Sequence, residues 1–196
     1  DFQYIVKYAD EVKSQIHGPD ISFVVNRNIN YTNICSFKCN FCAFSKGKGH
    51  DDLRGKPYNI SDEEIIRRTK EAIDRGATEV CLQGGIHPKF SGETYLDIVR
   101  AIRSVSDSIH IHAFSPLEID HGRKTLNISV KDFLIELKNV GLNSLPGTAA
   151  EILHDDIRAI ICPDKLNSNE WVEIIKAAHS VGLPTTSTMM FGHVEN

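Results

Sequence analysis

Three cysteines, Cys35, Cys39 and Cys42, fall within the eight residues CSFKCNFC. Thiolates select soft or borderline metals, and the spacing C-x3-C-x2-C on so short a loop can hold three corners of an iron-sulfur cubane. The fourth iron is then left without a protein ligand, which makes it a place for a small molecule to bind. A structural zinc knuckle is the simpler alternative, but such sites are closed sets of four ligands and the chain has no second C-x2-C pair. Cys81 lies inside an apolar run and Cys162 beside Pro163, which suits buried, unreactive thiols. Five cysteines, an odd number with three clustered, fit a reducing compartment better than a disulfide framework.

Other polar residues stand where strands end. Gln83, Gly84 and Gly85 close the run TEVCLQGG, where an ordinary glycine turn between strand and helix is one reading. His110 and His112 are two apart in SIHIHAFS and therefore share a face, either as polar contacts in a binding site or as hydrogen-bonded core residues. Ser115 and Glu118 follow, and the Glu118 carboxylate could meet an ammonium or a ribose hydroxyl, or begin a helix and satisfy its dipole. Glu151 could meet a substrate amine or act as the capping-box partner of Thr148. Arg158 and Lys165 are potential carboxylate partners, though expected in solvent, and His50 is expected at the surface. No nucleophile elbow, P-loop or complete dinucleotide fingerprint is present.

The elements that carry these residues follow a strand-then-helix rhythm. Strands are expected at 24–33, 78–85, 108–115, 141–147 and 184–193. Helices are expected at 61–77, around Tyr95 to Val105, at 129–141, and from Thr148 to Gly182 with a break near Cys162 and Pro163. A polar, glycine-rich connection occupies 45–59. Alternating strands and helices imply an α/β fold with a parallel sheet and right-handed crossovers. Polar or glycine residues recur just past the strand ends, which favours a TIM-type (β/α) barrel over a doubly wound sheet. Such a barrel takes eight units and roughly 250 residues, so about five strand-helix units and a missing carboxyl-terminal part are expected. Residues 1–23 read as an amino-terminal helical segment and 24–196 as an incomplete core barrel.

Composition narrows the class. The chain has 196 residues, 41% of them hydrophobic, enough for one core. A formal net charge of -4 and the lack of a long basic run argue against nucleic acid or anionic lipid as a partner. No apolar run approaches the ~20 residues of a membrane span, and the expected compartment is cytoplasmic.

The cysteine loop after a first barrel strand, with Phe41 before the last cysteine, resembles the signature of the radical S-adenosylmethionine (SAM) superfamily. That resemblance implies a 4Fe-4S cluster on Cys35, Cys39 and Cys42, with SAM chelating the open iron and cleaved reductively to a 5'-deoxyadenosyl radical. It also implies SAM contacts from the backbone of Gln83, Gly84 and Gly85, although QGGIHP lacks the acidic last residue often found there. Glu118 is a further candidate for SAM, and His112, Ser115 and Glu151 are candidates for substrate.

The phrases NRNINYTNICSFKCNFCAF, EVCLQGGIHP, IHIHAFSPLEI, GLNSLPGTAAEIL, ICPDKL and GLPTTSTMMFGHVE, in that order, resemble the CofH family, FO synthase subunit 2. The resemblance implies a transferase of deazaflavin (coenzyme F-420) biosynthesis. It would cleave the Cα–Cβ bond of L-tyrosine and transfer the 4-hydroxybenzyl group to 5-amino-6-(D-ribitylamino)uracil. An external electron donor and a ring-closing FO synthase subunit would be its partners. Two alternatives are an aminofutalosine-type radical SAM enzyme of menaquinone biosynthesis and a non-catalytic iron-sulfur electron-transfer module.

Overall fold

A computed structural model describes residues 2–37, 39–45, 56–148 and 150–194. His50 and most of the polar connection expected at 45–59 lie outside the described residues. The elements are α1 (Phe2–His17), β1 (Asn26–Asn30), α2 (Asp62–Asp74), β2 (Glu79–Gln83), α3 (Gly92–Arg103), β3 (His110–Ala113), α4 (Pro116–Leu126), α5 (Val130–Val140), α6 (Asp155–Ile161) and α7 (Ser168–Ser180). The expected α/β class and parallel sheet are present: β1, β2 and β3 pair in that order, both pairs parallel, with α2 and α3 as the crossovers.

Two faces of this sheet differ in chemistry because side chains alternate along a strand. Ile29, Val80, Leu82, Ile111 and Ala113 are fully buried with the apolar faces of α2, α3 and α5. Register aligns Asn26 with Glu79, Asn28 with Cys81 and Asn30 with Gln83, and continues from Glu79 to His110 and Cys81 to His112, so the other face is polar. Burial of the first face supplies the main driving force for folding, at about 1.5–3 kcal/mol per large aliphatic side chain.

Helix ends follow sequence signals. Ser61 caps α2 by accepting from the Glu64 amide at 3.4 Å, and Gly141 ends α5 at φ 115°. α1 buries none of its residues. Among the described residues, no helix is long and apolar enough to cross a membrane.

Two expectations need correction, and one helix adds to those expected. The fourth and fifth strands reduce to single parallel bridges, His112 with Ser144 and Leu145 with Thr185. Pro146 lacks an amide hydrogen to continue the first of them. Residues directly after Ser115 form the full helix α4, capped by Ser115 and Glu118 and opened by Pro116. The helix expected from Thr148 begins only at Asp155, so Glu151 is no capping-box residue: it sits at φ 47° in a reversal of the chain. The Arg158 guanidinium organises that reversal, donating to the carbonyls of Ala150, Ile152 and Leu166.

Candidate active site

The cysteine loop leaves β1 and is laced to the glycine loop that leaves β2. Gly85 N–H donates to Thr32 O at 2.9 Å and Ser36 N–H to Ile86 O at 2.8 Å. A Cβ on Gly85 would collide with the Ile34 carbonyl, and one on Gly84 with the Tyr31 ring, so both glycines allow the two loops to close on each other. The far side of the cysteine loop is held by α6: Asn40 donates from its backbone to Ile161 O at 3.0 Å and from its side chain to Ile160 O at 2.7 Å.

Between these loops and the strand ends lies a cavity of about 530 Å³. Cys35, Cys39, Cys42, Gln83, Gly84, Gly85, Ser115, Glu118 and Glu151 all line it. His112, the remaining residue expected there, is not among the lining residues. It is buried and shares the Ser144 hydroxyl, at 2.6 Å, with His110 at 2.7 Å. Burial holds its pKa below the usual imidazole value.

Backbone amides point at two of the three sulfurs. Cys35 Sγ accepts from the amides of Ile86 at 3.3 Å and Phe37 at 3.4 Å, and Cys42 Sγ from Ser45 N–H at 3.3 Å. Burial pushes the Cys39 thiol up to about 11, opposed by the nearby Lys165 charge. Among the described residues, no three His, Cys, Asp or Glu side chains are gathered closely enough for one metal ion. The thiols ring the cavity instead, and thiolates on different irons of a cluster need not converge on one atom, so the donor set fits a cluster better than a single ion.

Glu118 is fully enclosed and serves as a bracket. Its Oε2 accepts from Ser115 N–H at 2.7 Å and Ser115 Oγ–H at 2.5 Å, while Oε1 accepts from Gly84 N–H at 3.2 Å and from the Tyr31 hydroxyl. Burial raises the Glu118 pKa against the pull of these donors, and burial with the Glu118 charge raises that of Tyr31. The amides of Gly84, Gly85 and Ile86 are thus all engaged inside the protein. The glycine loop is left to present carbonyl oxygen to a ligand, the acceptor an ammonium requires.

Of Lys165 and Arg158, both expected in solvent, Arg158 is buried and Lys165 is half-buried with 12% of its side chain exposed. Lys165 Nζ lies 2.9 Å from Glu151 Oε1 and 5.3 Å from the Phe41 ring centroid, against the cysteine loop. Burial alone would lower the Lys165 pKa, but Glu151 and Cys39 raise it overall. Glu151 Oε2 has no hydrogen bond and lies 3.7 Å from Arg158. These partners are set by the chain reversal at Glu151, and no local sequence pattern signals it.

Comparison with known proteins identifies the family of the chain. Residues 29–196 match the radical SAM superfamily. The chain is 47% identical over 195 residues to 5-amino-6-(D-ribitylamino)uracil--L-tyrosine 4-hydroxyphenyl transferase of Methanothermobacter thermautotrophicus, covering 100% of this chain and 52% of that protein. It is 47% identical over 191 residues to FO synthase of Mycobacterium leprae, covering 97% and 22% respectively. The chain spans about half the length of the archaeal transferases it matches. Among solved structures, the [FeFe]-hydrogenase maturase HydG superposes with a TM-score of 0.69 at 16% identity, over 95% of this chain and 38% of HydG. Methylornithine synthase (PylB) superposes with a TM-score of 0.66 at 18% identity, over 90% and 47%. These two carry the fold alone.

Proposed function

The chain belongs to the radical SAM superfamily, and on that premise we propose that it is the cluster-bearing part of a transferase that joins the 4-hydroxybenzyl group of L-tyrosine to 5-amino-6-(D-ribitylamino)uracil in FO formation. The carrying observation is that the three thiols of the C-x3-C-x2-C loop and the glycine loop line one cavity, in a chain that is 47% identical to a transferase of that name. Superfamily membership implies a 4Fe-4S cluster and SAM. Cys35, Cys39 and Cys42 are assigned as the cluster ligands. When bound, cluster and SAM together supply a 5'-deoxyadenosyl radical, the hydrogen-abstracting agent.

The protein's own part is binding, orientation and exclusion of water. Backbone carbonyls of the Gln83 to Gly85 loop take the SAM ammonium, and Glu118 acts on SAM through Gly84, whose amide it fixes. Lys165 and Glu151 present opposite charges on one wall, matching the carboxylate and ammonium of an amino acid. Ser115 borders the same space, with its hydroxyl committed to Glu118. Phe37, Phe41, Phe44, Leu117 and Met190 supply apolar lining that keeps water from a reactive radical. His112 supports the strand face beneath the cavity through Ser144. An external electron donor, a ring-closing FO synthase subunit and a cytoplasmic setting complete the proposal.

Titration of the reconstituted full-length protein with SAM tests this reading. SAM should perturb the cluster's electron paramagnetic resonance spectrum, and added L-tyrosine should stimulate release of 5'-deoxyadenosine. A cluster indifferent to SAM would instead mark an electron-transfer module.

A further inference from the structure

One wall of the cavity carries no charge and was built at a cost to local propensity. Asn26, Asn28 and Asn30 alternate along β1, although asparagine is depleted in strands. Register sets Asn30 beside Gln83, and Asn28, Asn30 and Gln83 all line the cavity. Each carboxamide offers two donor hydrogens and an acceptor oxygen. Within the protein these groups use little of that capacity: Asn28 Nδ2 donates to Asn30 Oδ1 at 3.2 Å, and Gln83 Nε2 reaches Cys81 Sγ at 4.0 Å. Asn28 is exposed and Asn30 and Gln83 half-buried, so the amides face open space.

The cavity therefore has two chemically different walls, a charged one at Lys165 and Glu151 and a neutral amide one on the strands. Resting on the function proposed above, we propose that the Asn28, Asn30 and Gln83 side chains bind the 5-amino-6-(D-ribitylamino)uracil. Its ring edge alternates N–H and C=O groups and its ribityl chain carries hydroxyls, all neutral, and carboxamides complement both. The amino acid takes the charged wall. Side-chain amides on strands give more rigid placement than loop residues, as a reaction between two bound partners requires.

SAM also carries hydroxyls and a hydrogen-bonding base, so the test must separate the two ligands. Binding of 5-amino-6-(D-ribitylamino)uracil to reconstituted full-length protein is measured by anaerobic calorimetry for wild type, Asn28→Ala and Asn30→Ala. SAM binding is followed in parallel through the cluster spectrum. Each substitution should weaken the uracil by about 3- to 10-fold, as loss of one or two neutral hydrogen bonds does, with the SAM titration midpoint unmoved. Wild-type uracil affinity in both variants overturns the inference, as does an equal loss for SAM, which would assign the amides to the cofactor. Wild-type protein that responds to SAM yet binds no uracil overturns the substrate assignment, and this inference falls with it. Asn28 is exposed, so its variant is expected to fold even if Asn30→Ala does not.

Discussion

At Lys165 an ammonium is held between a carboxylate and the face of Phe41, against the loop that carries the cysteines. Both charges of the Lys165–Glu151 pair are largely enclosed, with 12% and 8% of their side chains exposed. Breaking such a pair leaves an uncompensated charge. Lys165→Met should therefore cost about 3 kcal/mol of stability, and Lys165→Met with Glu151→Gln together less than the sum of the singles, as measured in a denaturant double-mutant cycle. Additive losses would show that the pair is not coupled. The cysteines divide more sharply: Cys35→Ala, Cys39→Ala and Cys42→Ala should each abolish iron uptake, while Cys81→Ala retains it, read by iron and sulfide analysis.

His112 contributes a pH dependence. Its folded pKa is lowered by burial, so the unfolded chain binds the proton more readily. Stability is full above the ordinary imidazole value of 6.5 and declines as pH falls below it toward the folded value. Replacing His112 by Asn should flatten the thermal-stability profile in that window. At the level of residues, the place of the three cysteines on one cavity was legible because they share a short loop. Lys165 and Arg158 were not, because their burial depends on a chain reversal that no local pattern records.

Among the elements, the two loops above β1 and β2 act as one unit. A methyl group on Gly85 would press on the Ile34 carbonyl and Cys35 Cβ. Gly85→Ala should lower stability by about 1–3 kcal/mol and also lower cluster content, although it removes no ligand. Unchanged iron content in a destabilised variant would mean the loops are not coupled. Helices α2, α3 and α5 were legible from apolar periodicity and their caps. Helix α4 was not, because Gly122 breaks its pattern; a Cβ there would strike Phe133, so the glycine serves packing against α5 rather than a turn. The fourth and fifth strands were recognisable as segments, but the chain pairs them by one bridge each, and in the fourth Pro146 has no amide hydrogen to extend the pairing.

Over the whole molecule, a parallel sheet brings Asn28, Asn30 and Gln83 of its polar face and the loops at its strand ends to one cavity, the arrangement that barrel enzymes use to place chemistry. The chain spans about half the length of the archaeal transferases it resembles. The most direct test of the proposed function is anaerobic turnover of the full-length protein, reconstituted with iron and sulfide, with SAM, reductant, L-tyrosine and 5-amino-6-(D-ribitylamino)uracil, read by mass spectrometry. The expected products are 5'-deoxyadenosine together with a 4-hydroxybenzyl-uracil adduct. Deoxyadenosine without the adduct, or neither product from protein with an intact cluster, would contradict the proposed function.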